Sequence, residues 1–220
     1  MIINVQGQDR RFISTPGASA AFSVEHIDRS RVLGAKVFYI GGYLMMPSLE
    51  TEDLVELLNA ARKAGVITVL DVVLIDRERL LDRLAAVLPS VDYFLPNDDE
   101  ARIITGISDP LKQAERFREI GAENVVITMG GEGTIFVGPD VRLRCGVYPV
   151  DFVGGAGSGD AFDAGFIAGL LAGEDAAGCL RWGSAMGASC VRAIGTTDSV
   201  FTRAEAEAFM KAHSLLVESV

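Results

Sequence analysis

The sequence predicts an α/β fold in which helices cover both faces of a mostly parallel central sheet. Short, nearly continuous apolar runs indicate buried strands, and helical segments alternate with them along the chain. The 24 glycines among 220 residues are spread between these apolar runs, which indicates many tight turns rather than disorder. Strand and helix alternating at this spacing are typical of a parallel sheet.

The first half of the chain carries the clearest alternation. Met1 to Val5 and Arg11 to Ser14 flank Gly7-Gln8-Asp9, which is a hairpin signal. Strands are then predicted at Lys36–Ile40, Val66–Leu70 and Tyr93–Leu95, and helices at 51–64, with Leu54, Leu57, Leu58 and Ala61 inward, and Arg77–Leu88.

The second half continues the pattern without a repeat, a low-complexity segment or a linker, so residues 1–220 are predicted to form a single domain. Strands are predicted at Asn124–Thr128, Ile135–Val137 and Arg142–Pro149, and helices at 110–120, from Ala161 onward, at 175–193 and at about Arg203–Leu215.

Composition excludes several classes of protein. The net charge of −10 and the lack of Lys and Arg clusters argue against nucleic acid as a partner. Cys145, Cys179 and Cys190 are too few and too scattered for a disulfide framework or a zinc site, so buried thiols are expected. No signal peptide or membrane span is recognisable, and a cytoplasmic location is expected.

The stretch from Gly154 to Gly165 is the strongest candidate for a chemical site. Its glycines can hold backbone N–H groups in a concave turn, and the helix that follows adds free donors and a partial positive charge. Asp160 lies in the first turn of that helix. On its own it would be interpreted as a helix cap, but beside an anion cradle it is placed to take a proton from a hydroxyl group. We therefore interpret the stretch as a phosphoryl-transfer site.

Polar side chains also follow the strands, where ligands collect in parallel sheets. Asp71 ends one strand, and Asn97 and Glu100 follow another. One interpretation of Asn97 to Glu100 is a helix start rich in carboxylates; the other is a set of oxygen ligands for Mg²⁺ near nucleotide phosphates. Both remain open from the residues alone.

The run Gly130-Gly131-Glu132-Gly133 is most simply a turn into the strand that follows. It is not a phosphate-binding Walker loop, because no Gly-Lys-Ser/Thr follows, and it is not a dinucleotide fingerprint, because no helix follows.

The residues around Asp160, from Gly157-Ser158-Gly159 through Ala161-Phe162 to Ala164-Gly165-Phe166, resemble the C-terminal signature of the ribokinase-like (PfkB) carbohydrate kinases. The resemblance implies a ribokinase-like three-layer sandwich, with Asp160 as general base and Gly157, Ser158 and Gly159 as the anion hole. One departure concerns an acidic residue that the family usually has six positions before the base: that position is Gly154 here, and Asp151 lies nine before. Either the loop carries a three-residue insertion or Asp151 has another role, and Asp163 is left without a role.

The same resemblance assigns the remaining site residues. The family has an Asn-x-x-Glu element for Mg²⁺, which Asn97 and Glu100 match, and a Thr-x-Gly-x-x-Gly element for ATP, which Thr128, Gly130 and Gly133 match. In that family, the region that corresponds to Gly195 and Ser199 covers the adenine and, in some members, helps to bind a monovalent cation such as K⁺, so the resemblance implies that role for these two residues.

A typical member of that family begins well before Met1, so the sequence resembles an N-terminally truncated member that lacks the usual Gly-Gly-x-x-x-Asn substrate motif and lid. Three functions are then in competition: an ATP-dependent kinase for a sugar or a related small molecule, a catalytically impaired remnant that binds nucleotide, and an α/β protein whose glycine loop is only a turn. Missing edge strands would favour self-association, so a homo-oligomer is expected. The residues do not distinguish a pentose, hexose, sugar acid or nucleoside as substrate.

Overall fold

A computed structural model describes residues 2–3, 11–13, 15–75 and 78–220 of the chain. They confirm the α/β fold, with seven strands of a mixed sheet among the described residues. The chain divides into two compact units. We call Pro16–Met129 with Ile135–Arg142 the sheet unit, and Met1–Thr15, Gly130–Thr134 and Leu143–Val220 the glycine-loop unit. The single domain over 1–220 stays a prediction.

The strands of the sheet unit confirm the predicted parallel arrangement. Strands β3 (Val37–Ile40), β4 (Ile67–Leu70), β5 (Tyr93–Phe94) and β6 (Asn124–Thr128) pair side by side in this order, all parallel. Strand β7 (Thr134–Val137) is next to β6 in the order. Thr68, Val69 and Leu70 are all buried, although neighbouring side chains of a strand point to opposite faces. Both faces of β4 are therefore covered.

Several helices of the sheet unit begin after a residue whose side chain accepts a hydrogen bond from a backbone N–H of the first turn. Thr51 caps the longest of them, α3, by accepting a hydrogen bond from the Leu54 N–H, and its four predicted inward residues are all buried. Among the described residues of this unit, the helices are α1 (Ala18–Ala21), α2 (Arg29–Leu33), α3 (Glu52–Lys63), α4 (Leu80–Val87), α5 (Asp98–Thr105) and α6 (Pro110–Glu119).

The glycine-loop unit has two antiparallel strand pairs and three helices among the described residues. Strands β1 (Ile2–Ile3) and β2 (Arg11–Phe12) pair as the predicted hairpin does, although its Gly7-Gln8-Asp9 turn lies outside the described residues. The other elements are strands β8 (Arg142–Cys145) and β9 (Val217–Ser219), which pair with each other, and helices α7 (Ser158–Ala172), α8 (Ala176–Cys190) and α9 (Arg203–Ala212).

Helices α7 and α8 pack closely because glycines on α7 leave room for the α8 backbone. A β-carbon on Gly165 would stand 2.5 Å from the Trp182 carbonyl oxygen, and one on Gly169 would stand 2.8 Å from the Cys179 α-carbon. Both sites therefore require the absence of a side chain.

The structure differs from the predicted boundaries in several places. Helix α7 begins at Ser158 rather than Ala161, since the glycine turn itself leads into the helix, and α8 ends at Cys190. Strand β9 and the short helices α1 and α2 were not predicted. Among the described residues, no helix is both long and apolar enough to cross a membrane.

Candidate active site

The glycine turn before α7 supplies the main feature of the site. Gly157 is the N-cap of α7, with a left-handed backbone (φ 82°), and no side chain that the structure describes caps this end of the helix. A helix start without a side-chain cap leaves its first N–H groups available to another acceptor. The turn and the helix start thus have the form of an anion-binding site.

Several backbone donors of this turn have no acceptor in the described parts of the chain. The N–H groups of Gly155, Ala156, Gly157, Gly159 and Asp160 make no hydrogen bond there, whereas that of Ala161 bonds to the Gly157 carbonyl at 2.9 Å. Unsatisfied donors at a helix N-terminus, together with the partial positive charge of the helix, favour a bound anion.

Unlike its two neighbours in the turn, Ser158 forms hydrogen bonds to another residue of the turn through both its N–H and its side chain. Its N–H lies 3.3 Å from the Gly155 carbonyl oxygen, and its Oγ donates to the same oxygen at 2.9 Å. Ser158 therefore closes the turn, whereas the N–H groups of its neighbours Gly157 and Gly159 are among those without an acceptor in the described residues.

Asp160 is exposed, and its carboxylate has no hydrogen bond or ion pair with any residue that the structure describes. Its position is the third of α7, where it caps no backbone N–H. The helix-cap interpretation of Asp160 is therefore wrong, because a capping carboxylate would accept such a bond. The carboxylate is available to a ligand. Asp151 is exposed, whereas Asp163 is buried within α7.

The segment that follows α8 lies against the glycine turn. The N–H groups of Val153 and Gly154 donate to the Val191 carbonyl at 2.8 and 3.1 Å. A β-carbon on Gly157 would stand 2.7 Å from the Thr196 carbonyl oxygen. Backbone contacts therefore fix one side of the turn.

Gly195 and Ser199 both lie in this segment. The Ser199 Oγ donates to the carbonyls of Ser189 and Cys190 at 2.7 and 3.1 Å, so it closes the end of α8. Gly195 packs against Asp198, whose carboxylate a β-carbon on Gly195 would meet. Gly195 is next to Thr196 and thus close in sequence to the contact with Gly157.

In the sheet unit, Asn97 and Glu100 form a capping box at the start of α5. The Asn97 Oδ1 accepts from the Glu100 N–H at 2.8 Å, and the Glu100 Oε2 accepts from the Asn97 N–H at 3.1 Å. Asn97 also pairs in parallel with Thr128, whose N–H donates to the Pro96 carbonyl at 3.2 Å. The structure thus brings Asn97, Glu100 and Thr128 together at the carboxyl ends of β5 and β6.

Gln113 of α6 forms hydrogen bonds to the backbone at the start of α5 and just after its end. Its side chain is 1% exposed, and its Nε2 donates to the carbonyls of Asp98 and Ile107 at 3.1 and 2.8 Å. Partial burial and the neighbouring Asp99 raise the pKa of Asp98 above its usual value. Gln113 was not singled out from the sequence, since its partners are backbone groups that no motif reveals.

Gly130 and Gly133 lie in one turn of the glycine-loop unit. Both have a left-handed backbone, with φ of 53° and 93°, and the Gly133 N–H donates to the Gly130 carbonyl at 3.3 Å. A β-carbon on Gly133 would collide with the carbonyl oxygen of Cys145, whereas one on Gly130 would meet open space. The turn therefore presents Gly130 to solvent and packs Gly133 against the protein.

These residues fit a nucleotide and Mg²⁺ in different degrees. The N–H groups at the start of α7 that have no acceptor among the described residues fit a phosphate group. Within the described ranges, no three His, Cys, Asp or Glu side chains form a group that could hold a metal. Asn97 and Glu100 fit Mg²⁺ only in the way usual for this ion, in which one or two protein ligands act together with water and phosphate oxygens.

The sequence of this chain is similar to that of known kinases. A family model described as pfkB family carbohydrate kinase matches residues 1–203. An uncharacterized sugar kinase from Archaeoglobus fulgidus is 26% identical over an alignment of 205 residues that covers 91% of this chain and 78% of that protein. An adenosine kinase from Saccharomyces cerevisiae is 29% identical over 87% of this chain and 60% of its own length. The chain spans about half the length of some other curated relatives.

Solved structures show the same fold. A putative ribokinase II from E. coli, in complex with ATP and Mg²⁺, superposes with a TM-score of 0.76 at 26% identity, over 93% of this chain and 68% of that one. The likeness covers both units of the chain.

Proposed function

Because this chain belongs to the pfkB family of carbohydrate kinases, we propose that it transfers the γ-phosphoryl group of ATP to a hydroxyl group of a sugar or a related small molecule. The observation that carries the proposal is the combination, at the start of α7, of free backbone N–H groups with an Asp160 carboxylate that has no partner among the described residues. Relatives named as sugar and nucleoside kinases support the reaction class.

In this proposal, Asp160 is the general base. Its carboxylate takes the proton of the acceptor hydroxyl while that oxygen bonds to the γ-phosphorus and the bond from phosphorus to the departing ADP breaks. The exposure of Asp160 supports this role, because the acceptor must reach the carboxylate from solvent.

The turn Gly157-Ser158-Gly159 is the proposed anion hole. The N–H groups of Gly157 and Gly159 donate to the oxygens of the transferred phosphoryl group, where negative charge accumulates. Ser158 keeps the turn closed through its two hydrogen bonds to Gly155. Donors that are fixed before the substrate binds need no reorganisation during the reaction.

Asn97 and Glu100 are the proposed contacts to Mg²⁺ and its waters, and Thr128, Gly130 and Gly133 the proposed contacts to ATP. When bound, Mg²⁺ neutralises charge on the phosphates. The capping box holds the Asn97 and Glu100 side chains in place at the carboxyl end of β5, and amide and carboxylate oxygens are the kind of ligand that a hydrated Mg²⁺ ion prefers. Gly195 and Ser199 are proposed to line the adenine side and a site for a monovalent cation such as K⁺.

A cytoplasmic location and a homo-oligomeric state are also part of the proposal. Phe152 and Ile194, which are 73% and 65% exposed, support self-association, since large exposed apolar side chains favour contact with another surface. Light scattering at several protein concentrations tests the oligomeric state.

The function is tested by ADP release from Mg²⁺ and ATP with a panel of sugars and nucleosides. Asp160→Asn should lower the acceptor-dependent rate by at least about a hundredfold, because general-base catalysis contributes that much, while nucleotide affinity is retained. Asp140→Asn is the matched control, since Asp140 is another exposed aspartate.

Three outcomes would count against the proposal. If Asp160→Asn weakened nucleotide binding as strongly as it lowered turnover, Asp160 would not be the base. If no acceptor released ADP while ATP still raised the melting temperature, the chain would be a nucleotide-binding remnant. If ATP had no effect at all, the glycine loop would be only a turn.

A further inference from the structure

The thiol of Cys190 lies behind the glycine turn. Cys190 is the last residue of α8 and is fully buried. Its Sγ lies 3.4 Å from the Ala156 carbonyl oxygen and 3.2 Å from the Thr196 carbonyl oxygen. Both distances are within reach of a thiol that donates its single hydrogen to carbonyl acceptors.

Both acceptors of this thiol contact the proposed anion hole. Ala156 directly precedes Gly157 and is itself 2% exposed. Thr196 is the residue whose carbonyl oxygen would stand 2.7 Å from a β-carbon on Gly157. The thiol therefore joins the residue before Gly157 to the segment after α8, which itself packs against Gly157.

Because the peptide bond is planar, the contact of the Ala156 carbonyl with the thiol also fixes the direction of the Gly157 N–H. In a trans peptide the C=O of one residue and the N–H of the next point in opposite directions, and no peptide bond in the described parts of the chain is cis. Since the Ala156 carbonyl points inward to the Cys190 thiol, the Gly157 N–H points the opposite way. It has no acceptor among the described residues, as a donor for a ligand requires.

We infer that Cys190 is a positioning residue of the anion hole: its thiol fixes the peptide between Ala156 and Gly157 so that the Gly157 N–H faces the phosphoryl group. The inference rests on the proposed function. A buried cysteine would otherwise be interpreted as core packing alone. Here the thiol also contacts two carbonyl oxygens, which lie 34 and 6 residues away in sequence, so its hydrogen bonds connect separate segments of the chain.

The experiment compares three variants on α8. Cys190→Ala removes the donor, and Cys190→Ser keeps a donor of similar size. Cys179→Ala is the matched control, because Cys179 is also buried on α8 but its Sγ faces the Glu174 carbonyl, at 3.7 Å. We expect Cys190→Ala to lower kcat about tenfold, the equivalent of one hydrogen bond, with KM for ATP changed less than about twofold.

The Cys190→Ser variant distinguishes a positioning role of Cys190 from a role in core packing alone. Cys190→Ser should recover most of kcat, and Cys179→Ala should keep kcat per folded molecule even where it lowers the melting temperature. Equal losses of kcat in Cys190→Ala and Cys179→Ala would overturn the inference, and so would a Cys190→Ser variant as slow as Cys190→Ala.

A second readout does not depend on turnover. In ¹⁵N-labelled protein without nucleotide, the amide resonance of Gly157 should shift in Cys190→Ala and lie near its original position in Cys190→Ser and Cys179→Ala. A wild-type protein without kinase activity would contradict the proposed function, whereas an unchanged Gly157 resonance in Cys190→Ala would contradict the role of Cys190.

Discussion

The Thr196 carbonyl oxygen occupies the space into which a side chain on Gly157 would project, 2.7 Å from the position of a β-carbon. Gly157 also has a left-handed backbone. Two independent reasons thus require glycine at the start of α7. They can be separated, because Gly173 at the other end of the helix has a left-handed backbone (φ 78°) with no atom within 4 Å of the position of its β-carbon.

Gly157→Ala and Gly173→Ala should therefore differ in stability. Gly173→Ala should cost about 1–2 kcal/mol, the cost of a left-handed backbone for a residue with a β-carbon. Gly157→Ala should cost about 1 kcal/mol more, because the Thr196 backbone must also move, and it should abolish phosphoryl transfer. Urea denaturation measures both. Equal losses of stability would mean that the Thr196 contact yields without cost.

Glu100→Gln separates the capping role of Glu100 from metal binding. A glutamine can still accept from the Asn97 N–H, so the free energy of unfolding should change by less than about 0.5 kcal/mol. The loss of charge should raise the Mg²⁺ concentration for half-maximal activity about tenfold, as the loss of a metal-site contact commonly does.

Glu205→Gln is the control for this variant. Thr202 and Glu205 form the same capping box at the start of α9, where no metal is proposed. Glu205→Gln should leave the dependence of activity on Mg²⁺ unchanged. A normal Mg²⁺ dependence in Glu100→Gln would show that Asn97 and Glu100 are only a cap.

The sequence was sufficient for features with a local cause. Apolar runs specify the buried strands β4 and β6, and the glycines before Asp160 specify the turn that opens α7. These signals act within a few residues, so they can be recognised without knowledge of the fold. Asn97 and Glu100 show where local signals are ambiguous, because the same spacing makes a capping box and suits an oxygen-rich metal site.

Features with a distant cause could not be predicted. The pairing of β9 with β8 and the bond from Cys190 to Ala156 join residues far apart in sequence. A strand as short as Val217–Ser219 has no pattern of its own, since only its partner stabilises it. The sequence likewise indicated a buried thiol at Cys190 but not which carbonyl it meets.

Gln113→Met should loosen the start of α5. Methionine has a similar shape but cannot donate to the Asp98 and Ile107 carbonyls, so we expect a loss of about 1 kcal/mol of stability. The loss is limited because the Gln113 Oε1 is itself buried without a hydrogen-bond partner in the described structure. Faster hydrogen exchange at the Glu100 N–H would locate the effect at the capping box.

Lys112→Met places the same side chain on the exposed neighbour of Gln113 and serves as its control. It should leave both stability and exchange unchanged. Similar effects of the two variants would mean that methionine on α6, rather than the lost hydrogen bonds, is responsible.

Ionisation of the Cys179 thiol should lower the free energy of unfolding at alkaline pH. Burial, and then the nearby Glu174 and Asp175 carboxylates, raise the pKa of its thiol from 9.0 to about 12. Because the folded-state pKa is the higher one, the contribution of the protonated thiol is complete below pH 9 and is lost as the pH rises from 9 to about 12. Over this interval the thiol adds a slope of up to about 1.4 kcal/mol per pH unit to the fall in unfolding free energy. Cys179→Ser replaces the thiol with a hydroxyl group that does not ionise in this range, so the unfolding free energy of the variant should fall less steeply in urea titrations between pH 9 and 11. Parallel curves for the two proteins would mean that the Cys179 thiol ionises as readily in the folded chain as in the unfolded one.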